Sequence, residues 1–194
     1  MSTHDLSGGA STDDQDSGVP LITETQREYV IWQNRAFRFY LAARVLYKAR
    51  IYGPAALCAN QAIELLLKAT LIYHDRSFKP DAANHRVAGM LRTIGNKVKP
   101  KRAISVPRYF YADRRYQSVS RYPQHGLGLM VPGSFLPDLD RSFRELVVLV
   151  PFQHNTELRR HLTSSDRTVR LQLTSRNAET AALRRFLGIR PGAR

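Results

Sequence analysis

GPAALCANQAIELLLKATLIYH, residues 53–74, is apolar around most of a helical circumference yet keeps one polar stripe. Asn60, Gln61, Glu64 and Lys68 fall three or four residues apart, so they share one face of a helix. A helix buried nearly all round tolerates a carboxylate, an amide and an ammonium only when they are paired, because unpaired buried polar groups cost several kcal/mol. Two readings are open. In one, the stripe closes on itself, with Glu64 and Lys68 as an i,i+4 ion pair. In the other, it lines a functional groove. The single cysteine, Cys58, sits in this helix and reads as a packed thiol, so no intrachain disulfide forms and a reducing, cytoplasmic compartment is expected.

Upstream, Thr23 or Thr25 can cap a long helix, and Glu28 completes a capping box with Thr25. Its apolar seam reads Tyr29, Trp32, Ala36, Phe39, Ala43, Leu46. Continued to Tyr52, this helix is about 40 Å long. Gly53-Pro54 ends it and opens the next, with Pro54 at the first helical position. So short a link makes the two helices antiparallel neighbours.

Downstream, Asn84 caps a third helix through Val98, with Val87, Met90, Leu91 and Ile94 inward. Residues 99–107 form a basic linker closed by Pro107, and a short helix follows from Arg108 to Val119. Arg121 to Ser134 reads as a Gly- and Pro-rich loop. Pro137 starts a further helix with Leu139, Phe143, Leu146, Val147 and Val150 on its core face, and Pro151 kinks or splits it. Thr168 to Leu173 alternates like a short strand, and Asn177 to Leu187 reads as a terminal helix. Helical periods dominate, so the expected fold is an all-α antiparallel bundle of about four to five helices. Three regions are expected: an acidic disordered tail over 1–22, the bundle over 23–163, and a basic C-terminal extension over 164–194.

Charge is distributed unevenly. The chain carries +14 overall, and setting aside the four aspartates of residues 1–18 leaves +18 on the remainder. Residues 97–121 hold eight Lys and Arg against Asp113 alone, and residues 159–194 hold nine Arg against Asp166 and Glu179. Such a footprint suits a polyanion. Aromatics interleave with these bases: Tyr109, Phe110 and Tyr111 beside Arg108, Tyr116 beside Arg114 and Arg115, and Tyr122 beside Arg121. That combination holds single-stranded RNA in other proteins. The competing reading is a solvated basic surface with half of the rings in the core. No run is read as apolar enough to span a bilayer, and the acidic N-terminus is unlike a signal peptide.

The run from Ala59 to Ala69, with Gln61, Ala62, Glu64, Leu67, Lys68 and Ala69 at matching places, resembles the QAxExxLKA signature of HEPN domains. These are small helical bundles named for nucleotide binding in higher eukaryotes and prokaryotes. Asn84-His85-Arg86-Val87 before Met90-Leu91, and Arg121-Tyr122-Pro123 after Tyr116, are similar to two further segments in the family's order. The resemblance spans roughly residues 27–162. It implies homodimerisation and, in many members, a nucleotidyltransferase partner in toxin–antitoxin or defence systems. It also implies metal-independent ribonuclease chemistry in members that carry Arg and His four to six residues apart. Here Arg121 and His125 have three residues between them, which departs from that pattern. Arginine would stabilise phosphorane charge and histidine would move a proton. The alternative places Arg121 and Tyr122 against the bundle and leaves His125 exposed.

His154, Glu157 and His161 share one helical face but lack the i,i+4 histidine pair of a strong zinc motif, so they read as surface residues and no metal is expected. No Walker loop or GxGxxG occurs, and no cofactor is expected. The leading expectation is a module that binds RNA or a nucleotide through Arg108, Arg114, Arg115, Arg121 and Tyr122, more a binder than an enzyme. A metal-independent ribonuclease toxin on Arg121 and His125 is the first alternative, and a scaffold that meets an acidic protein is the second. No membrane role is expected.

Overall fold

The computed structural model describes residues 24–83, 86–111 and 133–151, with a few single positions beyond. Four α-helices make up the described core: α1 (Glu24–Lys48), α2 (Tyr52–His74), α3 (Val87–Lys97) and α4 (Phe135–Val147). Two 3-10 turns, Pro80–Ala83 and Arg108–Phe110, lie between them. No strand occurs among the described residues, so the all-α class is observed.

α2 is the centre of the bundle. It packs most extensively on α1 and also touches α3, α4 and the Arg108–Phe110 turn. Its buried run is unbroken from Ala62 to Ile72, which requires cover on every side. By length and composition α2 is long and apolar enough to cross a membrane, contrary to the reading that no run is. In this fold 83% of its apolar 18-residue window is buried within the protein, where the other helices supply its apolar surroundings.

α1 and α2 are antiparallel, but the turn between them differs from expectation. α1 ends at Lys48, short of Tyr52, and α2 already includes Tyr52 and Gly53 ahead of Pro54. Arg50 closes α1 in the left-handed region, with φ 62°. Its N–H donates to Tyr47 O at 3.0 Å, and the Ile51 N–H donates to Leu46 O at 2.9 Å. This bond pair satisfies carbonyls of the last turn in the manner of a Schellman motif, which usually employs glycine. At the other end α1 already includes Thr25, so Thr25 does not cap it, and Thr23 lies outside the described residues.

The inward face of α1 is also shifted from the sequence seam. Tyr29, Ala36 and Ala43 are buried as expected, but Phe39 is exposed, and Phe37, Tyr40, Gln33 and Arg44 turn inward instead. α4 decides that shift. It runs antiparallel to α1, with Phe143 stacked on Tyr40 (4.0 Å between centroids), Asp140 on Arg44, and Phe135 stacked on Tyr47 (4.9 Å). All five residues expected on its core face, Leu139, Phe143, Leu146, Val147 and Val150, are buried. α4 starts at Phe135, ahead of Pro137, and ends at Val147, four residues before Pro151. In α3, Val87, Met90 and Ile94 are buried as read, and Leu91 packs at the core's edge.

Three expectations lie mostly outside the described residues. They are the acidic tail with its disorder, the strand at 168–173, and Asn84 as the cap of α3. Of the expected terminal helix, Ala181, Ala182 and Arg185 are helical. The expected helix from Arg108 appears as a single 3-10 turn to Phe110, and its continuation beyond Tyr111 is outside the described residues.

Candidate nucleic-acid interface

The polar stripe of α2 faces inward. Glu64 and Lys68 form an i,i+4 ion pair at 3.0 Å, with side-chain exposures of 2% and 8%. The Lys68 ammonium also sits 5.2 Å from the centroid of the Trp32 ring on α1, a cation–π contact that helps offset its desolvation. Asn60 Nδ2 donates to the Phe110 carbonyl and so ties the Arg108–Phe110 turn to α2. Gln61 is half-buried beside them. The stripe thus joins three segments of the fold.

A second buried polar cluster has no counterpart in the sequence reading. Arg44 and Asp140 form an ion pair with neither side chain exposed, and the Tyr40 hydroxyl donates to Asp140 Oδ1 at 2.6 Å. Burial and the adjacent carboxylate push the Tyr40 phenol well above its ordinary pKa. Burial alone would lower the Arg44 guanidinium, but Tyr40 and Asp140 outweigh it and hold its pKa raised. The signal was missed because Asp140 and Arg44 each look like ordinary surface charges on amphipathic helices. Only the pairing of α1 with α4 brings them together.

The exposed chemistry concentrates at the end of the bundle where α1 meets α2 and α4 begins. An unbroken series of rings runs inward from it. Tyr52 meets Tyr47 edge-on at 5.3 Å, Tyr47 stacks on Phe135, Phe135 meets Phe110 at 5.4 Å, and Phe110 meets Tyr109 at 4.5 Å. Arg50, Arg108 and Arg141 are exposed around this series, and Lys48 is half-buried beside Arg44. Desolvation, then the Arg44 charge, lowers the Lys48 pKa, and burial, then Tyr52, raises that of Tyr47. Of the acids among the described residues here, Asp140 is buried on Arg44, and Asp138 accepts from the Tyr109 hydroxyl at 2.8 Å and lies 3.7 Å from Arg141. The N-termini of α2 and α4 both lie at this pole without side-chain caps, each adding partial positive charge, set against the C-terminus of α1 and, in the first turn of α4, Asp138.

Of the sequence-proposed binding residues, Arg108 lies on this pole. Arg114, Arg115, Arg121, Tyr122 and His125 lie outside the described residues, as do His85 and the His154, Glu157, His161 face. The stretch that contains the first five lies in sequence between Tyr111 and Gly133, the described residues on either side of it. The α1–α2 turn was overlooked. Its run Tyr47-Lys48-Ala49-Arg50-Ile51-Tyr52 carries the same interleaving of rings and bases that singled out Arg108 to Tyr122.

A separate basic groove of about 350 Å³ lies on the other half of α4, lined by Lys101, Arg102, Ile104, Arg144, Val148 and neighbouring residues. Glu145, also on its wall, accepts the Ser105 N–H at 2.7 Å. Cys58 is half-buried against the core, and burial raises its thiol pKa, which fits an inert packing role. No cluster of metal-binding side chains occurs among the described residues.

A central apolar helix with an internal Glu–Lys pair, covered by antiparallel partners, defines a small helical-bundle domain. A family model for the HEPN domain matches residues 29–126, and the chain belongs to that family. No curated protein and no solved structure matches it.

Proposed function

We propose that this HEPN domain is an RNA- or nucleotide-binding module whose contact surface is the basic, aromatic pole at the α1–α2 turn. The observation that supports it is the meeting there of Arg50, Arg108 and Arg141 with exposed or half-buried tyrosines, while the local carboxylate Asp138 is already engaged. Cations provide phosphate contacts and rings accept bases. Arg114, Arg115, Arg121 and Tyr122, which follow Arg108 in the same basic, aromatic run of sequence, are proposed as further contacts. The module works in the cytoplasm as a homodimer, and the exposed Ile31, Phe39 and Val45 on the outer side of α1 support a self-association face. Its setting is a toxin–antitoxin or defence-type system with a nucleotidyltransferase partner, as the family suggests.

The test is a fluorescence titration of a labelled single-stranded RNA over a range of salt. Phosphate contacts give a log–log salt slope of about 0.7 per neutralised phosphate, and Arg108→Ala reduces that slope by about 0.7. Salt-independent or absent binding refutes the reading and favours a scaffold that meets an acidic protein. Metal-independent cleavage that disappears in His125→Ala would instead establish the ribonuclease.

A further inference from the structure

Resting on that reading, we infer that the α1–α2 turn is a single-strand stacking platform: Tyr52 receives a base, and Arg50 and Lys48 hold the flanking phosphates. Tyr52 is 39% exposed and stands at the outer end of the ring series that runs through Tyr47 and Phe135 into the core. A tyrosine braced from behind in this way loses little side-chain freedom when a base stacks on it. Ile51, 47% exposed, extends the apolar surface beside the ring. A stacked duplex keeps its base faces covered by neighbouring pairs, so the ring can be used only by an unpaired strand.

Arg50 supplies the second, independent observation. It occupies a left-handed position, φ 62°, where glycine is the ordinary residue. A side chain there is strained, and the favourable placement of a cation at a helix C-terminus offsets that cost only in part. Stability alone therefore gives little reason for arginine at this point. The strained turn does, however, present an exposed guanidinium beside Tyr52. Lys48, on the last turn of α1, stands two residues before Arg50, so two cations precede the ring within one short turn.

The experiment compares a labelled single-stranded RNA with the same strand annealed to its complement, using the full chain. Tyr52→Ala is expected to weaken single-strand binding about thirtyfold, mid-range for loss of one base–aromatic stack, and to leave duplex binding within about twofold. Tyr52→Phe is expected to retain affinity, because the face of the ring and not its hydroxyl makes the contact. Arg50→Gly is expected to melt at the same or a higher temperature and to reduce the single-strand salt slope by about 0.7. Both Tyr52→Ala and Arg50→Gly binding the single strand within about twofold of the unmutated chain overturns the platform while leaving the RNA reading intact. Preference of the unmutated chain for the duplex also overturns it. Absence of binding to either probe refutes the RNA reading itself and the platform with it.

Discussion

Replacing Asp140 by alanine removes the acceptor shared by two buried donors. Arg44 and Asp140 have no side-chain exposure, and Tyr40 is also buried, so water cannot take over as partner. Removing one member of a buried ion pair costs about 3–5 kcal/mol, because the other charge remains in a low-dielectric interior. The orphaned Tyr40 hydroxyl belongs to the same network, so its loss falls within that range and does not add to it. Set against a domain stability of about 5–15 kcal/mol, this is a large fraction. With a urea slope of roughly 2 kcal/mol/M, the midpoint should fall by about 2 M. The companion variant replaces the whole cluster, as Tyr40→Phe with Arg44→Met and Asp140→Leu. Apolar substitutes of similar size remove the desolvation penalty together with the pair, so this triple change should be near neutral or stabilising. Urea melts followed by far-ultraviolet circular dichroism measure both. A loss below about 1 kcal/mol for Asp140→Ala, or a triple variant as unstable as the single one, would refute the assignment of this cluster as a paired, water-free contact between α1 and α4.

Leu66 is fully buried in the central helix, so Leu66→Ala should cost about 2–5 kcal/mol in the same melts, and a loss under about 0.5 kcal/mol would argue against the buried helix. Glu64→Ala strands the buried Lys68 ammonium and should cost about 3–5 kcal/mol, whereas a neutral result would show that the stripe is hydrated and open to a ligand. Hydrogen bonds from Lys97, then Ser77, hold the Asp75 carboxyl down to about 2. A depressed carboxylate contributes stability that is full above its unfolded pKa and lost as pH falls through the folded one. Acid titration of the melting temperature should therefore show a contribution fading between pH 4 and about 2 that is absent in Asp75→Asn. Gln33 is fully buried with neither amide atom hydrogen-bonded among the described residues, so Gln33→Met should raise stability by about 1 kcal/mol or more, and a drop would reveal a partner for the amide.

The proposed contact surface divides by how local its causes are. Arg108 and the aromatics after it stood out because charge and ring type are properties of the residues themselves. The proximity of Arg108, Tyr109 and Phe110 to Tyr47, Lys48, Arg50 and Tyr52 did not, since the two runs are separated in sequence by more than fifty residues and are joined through the Phe110–Phe135 and Phe135–Tyr47 ring contacts. The turn at Arg50 was misplaced because Gly53-Pro54 is the stronger local signal, and the chain closes α1 earlier by accepting a strained arginine.

By itself the sequence determined the elements whose causes are periodic. Residues 53–74 carry an apolar helical pattern long enough to fix a helix that must be covered, and the i,i+4 spacing of Glu64 and Lys68 makes their pairing a consequence of helical geometry. The same holds for the core faces of α3 and α4, and for the family signature carried by the α2 stripe. Tertiary structure alone decided which side of α1 turns inward. That helix is amphipathic only weakly and can bury either Phe39 or the Phe37, Tyr40 and Arg44 face. The choice falls to the second because Asp140, ninety-six residues away, supplies the partner that makes a buried arginine tolerable.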